Sequence, residues 1–270
     1  MKKNSLRFTK LSGAGNDFIV VDLRSLKKSF SQKKRKEIVK AACDRHYGVG
    51  ADGLLFLEKA KNIKNDFRWD FYNRDGSRAE MCLNASRCVV RYELQKKKNV
   101  KFESIVGLVT GKASGKDIQV ELPIRKQKIK LLNVRTFDGK HHETDGYAVN
   151  SGVPHFVVHK KFTNLESLRH ISSQLRFHKI FNKPGSNVTY WEGKSSTVKA
   201  ITFERGVEDF TLACGTGAVA VGMVFEAVYE KTPITVQMPG GKIKVDLKGK
   251  SAIVTGSAEI ICEGELCLKV

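Results

Sequence analysis

The sequence predicts an α/β (α+β) protein in two similar halves, each a set of short strands gathered around a central helix. Three observations carry that expectation. Strand-like runs recur along the whole chain, separated by Gly, Asn and Asp turns. The run from Ala218 to Val228 is apolar on nearly all sides, the mark of a helix buried at the centre of a domain. Two segments also form a weak internal repeat: Cys82-Leu-Asn-Ala-Ser-Arg-Cys88 and Cys214-Gly-Thr-Gly-Ala218 each follow a strand and a turn and lead into a helix.

The elements follow in order. Strands are expected over Phe18 to Asp22, Leu54 to Glu58, Phe67 to Tyr72, Ile118 to Leu122, Phe156 to His159, Val198 to Glu204 and Ile253 to Cys262. Ser31 is placed to cap a helix with Ile38, Val39 and Ala42 on one face. Leu165, Leu168, Ile171 and Leu175 mark a second amphipathic helix, and Val89, Val90, Tyr92 and Leu94 a third behind Cys82. The apolar helix behind Cys214 is expected to stop at Lys231-Thr-Pro233. A boundary near Leu122-Pro123 fits the division into halves.

The chain's 270 residues are enough for one large domain or two modest ones. No stretch approaches the ~20 apolar residues of a membrane-spanning helix, and no apolar run backs the basic N-terminus as a secretory signal requires. A cytoplasmic protein without a membrane partner is expected. Lys and Arg outnumber Asp and Glu by 48 to 28, a formal charge of +20. The basic residues are scattered: Lys27-Lys28, Lys33 to Lys36, Lys96 to Lys98, and alternating lysines in Lys126 to Lys130 and Lys242 to Lys244. They read as solvated faces and guarded strand edges rather than as a nucleic-acid site. An anionic substrate would still be drawn to such a surface.

The six cysteines, Cys43, Cys82, Cys88, Cys214, Cys262 and Cys267, show neither CxxC spacing nor a Cys/His cluster, so no metal site is expected. Free cysteines are usually small buried apolar residues. Cys82 and Cys214 are the exceptions, because each sits just before a helix. Unpaired N–H groups and the helix dipole there favour a thiolate and can also hold a carboxylate. Gly215 and Gly217 let the backbone approach a ligand closely. A thiolate and a thiol acting from opposite faces suit stereoinversion at a Cα, one removing the α-proton and the other returning one. Two facing halves would set one cysteine on each side of a cleft. No lysine motif or phosphate loop suggests a pyridoxal site.

Other segments are less distinctive. Gly13-Ala-Gly-Asn16-Asp17 and Gly48-Val-Gly-Ala-Asp52-Gly53 read equally as functional or structural turns. Asn73-Arg-Asp-Gly76 reads as a hairpin turn, Glu204-Arg205-Gly206 as a strand end with a surface ion pair, and Asn187 as a loop asparagine. His155 taken alone reads as a core histidine.

Together and in order these segments resemble the diaminopimelate epimerase family. The match runs through Leu11-Ser-Gly-Ala-Gly-Asn-Asp-Phe18, Asp44-Arg-His-Tyr-Gly-Val-Gly-Ala-Asp-Gly53, Tyr72-Asn-Arg-Asp-Gly-Ser77 and Cys82 to Cys88. It continues through Gly152-Val-Pro-His155, Glu204-Arg-Gly206, Leu212-Ala-Cys-Gly-Thr-Gly-Ala218 and Val236-Gln-Met-Pro-Gly-Gly241. The resemblance implies two pseudo-symmetric domains, each a mostly antiparallel sheet or barrel wrapped around a central helix, with the active site between them. It further implies that the C-terminal strand returns to the first domain, giving domains of 1–122 plus 259–270 and of 123–258. It also implies interconversion of LL- and meso-2,6-diaminopimelate in lysine and peptidoglycan-precursor synthesis, without cofactor or metal, by a homodimer.

Residue by residue, Cys82 and Cys214 match the base and acid. Asn16, Asn73, Asn187, Glu204 and Arg205 match substrate-binding positions, and the backbone at Leu83-Asn84 and Gly215-Thr216 matches the carboxylate cradle. Glu204 and His155 match residues that tune the thiols. The chain departs from the family pattern at Leu83, where glycine is usual, and at Val153, where an asparagine helps hold the distal end of the substrate. A cofactor-independent racemase of another amino acid is the alternative reading. A non-catalytic basic nucleic-acid-binding protein is a more distant one.

Overall fold

The computed structural model describes residues 5–26, 30–79, 81–125, 127–137 and 141–267. Lys27-Lys28 and Lys126 of the basic segments lie outside them. The chain divides into two compact units, Met1–Leu122 with Ser257–Val270, and Pro123–Gly256.

The first unit runs β1 (Ser5–Gly13), β2 (Asn16–Asp22), α1 (Gln32–Cys43), β3 (Gly53–Glu58) and β4 (Phe67–Asn73). It continues with α2 (Leu83–Glu93), β5 (Asn99–Ser104), β6 (Gly107–Ser114) and β7 (Asp117–Pro123). Neighbours along its sheet are β1 to β7 in sequence order. The β1–β2, β3–β4, β5–β6 and β6–β7 pairs are antiparallel, whereas β2–β3 and β4–β5 are parallel. Helix α1 crosses between the first parallel pair and α2 between the second, as parallel neighbours require a long connection.

The second unit runs β8 (Lys130–Phe137), β9 (His141–Asn150), β10 (Pro154–His159), α3 (Leu165–Phe177), β11 (Asn187–Glu192) and β12 (Thr197–Glu204). Then follow β13 (Asp209–Thr211), α4 (Gly215–Tyr229), β14 (Ile234–Met238), β15 (Gly241–Lys248) and β16 (Ser251–Gly256). Its order is β8-β9-β10-β11-β12-β14-β15-β16, with β13 folded back on β12. Here too the parallel pairs, β10–β11 and β12–β14, are those bridged by the helices α3 and α4. The last strand, β17 (Glu259–Cys267), pairs antiparallel with β1 in the first unit. With β17 standing ahead of β1, the two units repeat one sequence of antiparallel and parallel pairings strand for strand.

Ile253 to Cys262, expected as one strand, is two. The run breaks at Ser257-Ala258, where the chain leaves one unit for the other, a change that hydrophobic pattern does not report. The expected helices are found, α1 with the expected Ser31 cap. Ser31 accepts the Lys34 N–H at the start of α1, and Asn164 accepts the Ser167 N–H at the start of α3. Helix α4 is buried from Gly215 through Phe225 and ends at Glu230 in the left-handed region, three residues before Pro233. Helix α2 is buried from Leu83 to Val90, and at Gly111 the β6 backbone comes so near Val90 that a Cβ would sit 2.4 Å from its Cγ2. Separate apolar cores lie under α1 (Ile19, Val21, Leu54, Phe56) and under α3 (Phe156, Val188, Tyr190, Phe203).

Candidate active site

Each unit brings one cysteine to the start of its central helix. Cys82 is the N-cap of α2, with extended backbone (φ −143°, ψ 116°), and its sulfur accepts the Ala85 N–H at 3.4 Å. Cys214 is the N-cap of α4 (φ −121°, ψ 107°), and its sulfur accepts the Gly217 N–H at 3.3 Å. Cysteine is here used where Ser, Thr or Asp usually sits. Each sulfur thus accepts a first-turn N–H, and N–H dipoles at a helix start favour the negative form of a thiol.

Around Cys82 a chain of amides is anchored on buried charge. Arg87, wholly buried, donates to Asn84 Oδ1 at 2.8 Å and to the carbonyls of Ser257 and Leu83. Asn84 Nδ2 donates to Asn16 Oδ1 at 2.6 Å, and Asn16 Nδ2 donates to Asp52 Oδ2 at 3.0 Å. Arg45 bridges Asp52 and Asp17. Burial works to raise the Asp17 carboxyl, but Arg45 and Lys10 outweigh it and hold it below the usual carboxylate range. Both glycine-rich turns therefore belong to one network behind Cys82. Leu83, despite replacing the usual glycine, is the first residue of α2 and is not among the residues with positive φ, so no backbone strain attends it. Asn73 closes β4, is exposed, and gives its amide to Ser77 within its own turn.

Around Cys214 the arrangement is a buried row of hydroxyls and one imidazole. Thr216 Oγ1 lies 3.3 Å from Cys214 Sγ and 3.0 Å from His155 Nε2. His155 Nδ1 is 2.9 Å from Thr189 Oγ1, which is 3.1 Å from Thr202 Oγ1. Asn187 Nδ2 stands 3.3 Å from His155 Nε2, and its Oδ1 accepts the Arg205 N–H at 2.7 Å. Strand register builds this row: His155 pairs with Asn187 across β10–β11, and Thr189 with Thr202 across β11–β12. Burial, and then Arg205, lower the His155 pKa to about 3, so the ring is neutral at working pH. Glu204 accepts a hydrogen bond from Thr211 Oγ1. Val153 is buried in the turn before β10, where Ser151 N–H donates to its carbonyl.

The other cysteines divide. Cys43 and Cys88 are buried, and burial raises both thiols, Cys43 to about 12. Cys262 and Cys267 are exposed on β17, contrary to the expectation of buried apolar side chains, because that strand is exposed on both faces along most of its length and buries Leu266. Among the described residues no three His, Cys, Asp or Glu side chains group so as to hold a metal ion, and no helix is long and apolar enough to cross a membrane. Thr189, Thr202 and Arg87 escaped the sequence reading. The signal for the first was the alternation Asn187, Thr189 on one face of a strand.

A family model described as Diaminopimelate epimerase matches residues 8–123 and 147–261. Diaminopimelate epimerase of Aquifex aeolicus (strain VF5) is 38% identical over 281 aligned positions, covering 98% of this chain and 99% of that one. The Hydrogenobaculum sp. (strain Y04AAS1) protein of the same name is 34% identical, with 97% and 99% covered. Among solved structures, a hydroxyproline epimerase from Agrobacterium vitis aligns with a TM-score of 0.74 at 15% identity, over 99% of this chain and 94% of that one. A probable proline racemase from Agrobacterium radiobacter K84 gives 0.70 at 14%, over 98% and 93%. These two show the fold.

Proposed function

The chain belongs to the diaminopimelate epimerase family, and from that premise we infer that it interconverts LL- and meso-2,6-diaminopimelate, a step of lysine biosynthesis, with Cys82 and Cys214 as base and acid. The observation that carries the assignment of roles is the matched placement of the two thiols, each the N-cap of a central helix and each accepting a first-turn N–H. In one direction a thiolate takes the α-proton, the C–H electron pair stays on the substrate as enolate-like charge, and the other thiol returns a proton to the opposite face. First-turn N–H groups at Leu83-Asn84 and Gly215-Thr216 hold the α-carboxylate and stabilise that charge. Asn16, Asn73, Asn187, Glu204 and Arg205 take up the rest of the substrate, and His155 and Glu204 tune the thiols. Val153, which cannot donate a hydrogen bond, leaves the distal end to those remaining groups. We include in this reading a cytoplasmic homodimer, which light scattering tests.

LL-diaminopimelate incubated with the protein in deuterated water should give meso product carrying α-deuterium. Cys82→Ser and Cys214→Ser should each lower kcat by about a hundredfold or more. Absence of meso product and of deuterium exchange, with turnover of another amino acid, overturns the substrate. Full activity in either serine variant overturns the roles.

A further inference from the structure

We propose that Thr189 is a positioning residue for Cys214: it fixes the tautomer of His155 and so gives the Thr216 hydroxyl two alternative acceptors, one for each protonation state of the thiol. The inference rests on Cys214 being the acid/base group of the second unit.

The argument begins at Asn187. Its Oδ1 accepts the Arg205 backbone N–H, which fixes the amide with its NH2 group turned towards His155. An NH2 facing Nε2 at 3.3 Å requires that nitrogen to be the bare one. The imidazole proton is then on Nδ1, where Thr189 Oγ1 accepts it at 2.9 Å. Thr189 in turn gives its own O–H to Thr202 Oγ1, 3.1 Å away, which keeps its lone pair free for the ring. Both threonines are wholly buried, and no rotation towards water competes with this order.

Thr216 is the moving part. Its Oγ1 lies between two acceptors, His155 Nε2 at 3.0 Å and Cys214 Sγ at 3.3 Å. When Cys214 is a thiolate, the Thr216 O–H points to the sulfur. When the sulfur has taken the α-proton, S–H donates to Thr216 Oγ1, and the Thr216 O–H turns to Nε2. One C–H bond breaks and one S–H bond forms, the electron pair remains on the substrate, and the imidazole neither gains nor loses a proton. The row therefore follows the thiol by rotation of one hydroxyl. Of the charged side chains packed about it, Arg205 is the one that acts on His155 and favours its neutral form. Glu204 beside it is engaged by Thr211.

Thr189→Val keeps the branched side chain on β11 and removes the acceptor for Nδ1–H. A buried N–H without an acceptor is costlier than a bare ring nitrogen, so the proton moves to Nε2 at the expense of the Asn187 hydrogen bond. Nε2–H then donates to Thr216, whose own O–H stays on the sulfur and holds Cys214 as thiolate. The test has two readouts on the full-length protein. In wild type, 15N shifts of the histidine that does not titrate between about pH 5 and 9 should show a protonated Nδ1 and a bare Nε2. In Thr189→Val the pattern should reverse, and the pH midpoint for iodoacetamide alkylation of Cys214, followed by peptide mass spectrometry, should fall by about one unit. Thr189→Ser should restore both. A wild-type ring protonated at Nε2, or a Thr189→Val midpoint that stays or rises, overturns the proposal. Because alkylation reads the sulfur directly, that failure is distinct from a failure of the substrate reading, which shows only in turnover.

Discussion

His155 shows how one residue can be both core and site. Its ring is 1% exposed, as a core histidine would be, yet its two nitrogens meet three polar side chains. Its burial carries a stability consequence. The folded pKa of about 3 lies below the ordinary 6.5, so the unfolded chain binds this proton and the native one does not. His155 therefore leaves stability intact above pH 6.5 and removes it as pH falls from there towards 3, by about 1.4 kcal/mol per unit once the unfolded ring is protonated. Urea unfolding at pH 7 and pH 5 should show a loss of about 2 kcal/mol from this residue. His155→Gln, which cannot titrate, should lose correspondingly less over the same interval. Equal losses in the two proteins would mean that the buried ring accepts its proton in place. The same residue marks a limit of reading by type: a histidine after proline carries no sign of burial or of partners, and only its context among the other motifs singled it out.

At the scale of elements, the two helix starts were legible because cap, cysteine and apolar helix lie next to each other in the chain. The row behind Cys214 was not, because Thr189 and Thr202 reach His155 through sheet register, and register is not written in any one segment. Nor was the break at Ser257-Ala258, since a strand ending one unit and a strand joining the other carry the same pattern. The first turn of α4 joins the two kinds of information at Gly217. A Cβ there would lie 2.5 Å from Thr202 Oγ1 and 3.3 Å from Thr189 Oγ1. Gly217→Ala gains ~0.5–1 kcal/mol of helix propensity. Against that stands ~1–3 kcal/mol for overpacking a site where the hydroxyls are buried and hydrogen-bonded. The second effect should win: the urea midpoint should fall by about 1 kcal/mol in stability. The value of kcat should fall with it, because the displaced hydroxyls no longer hold the ring. A variant that is stabilised and fully active would show that Thr202 rotates away at no cost.

Taken whole, the molecule poses a question of charge that its site does not answer. The formal charge is +20, and the exposed lysines on β15 (Lys242, Lys244) and at the start of β8 (Lys130, with Lys128 just before it) carry part of it as solvated faces. Steering of an anionic substrate was one use that this surface offered. Diaminopimelate carries two carboxylates and two ammonium groups near neutral pH, so its net charge is zero, and a long-range field exerts no net pull on it. On the function proposed above, recognition would depend on short-range contacts at the helix starts and at Arg205, which salt screens least. The value of kcat/KM should consequently change by less than about twofold between roughly 20 and 200 mM NaCl, while a surface built to capture polyanions would weaken by orders of magnitude over that range. Stability should move the other way. The like charges of a strongly basic surface repel one another more in the compact state than in the expanded one, so the same salt should raise the urea midpoint. A steep fall of kcat/KM with salt, without a change in kcat, would show that the net charge serves substrate capture after all. Retention on a polyanionic column that salt abolishes, with turnover unaffected, would assign the charge to a second partner outside the catalytic cycle.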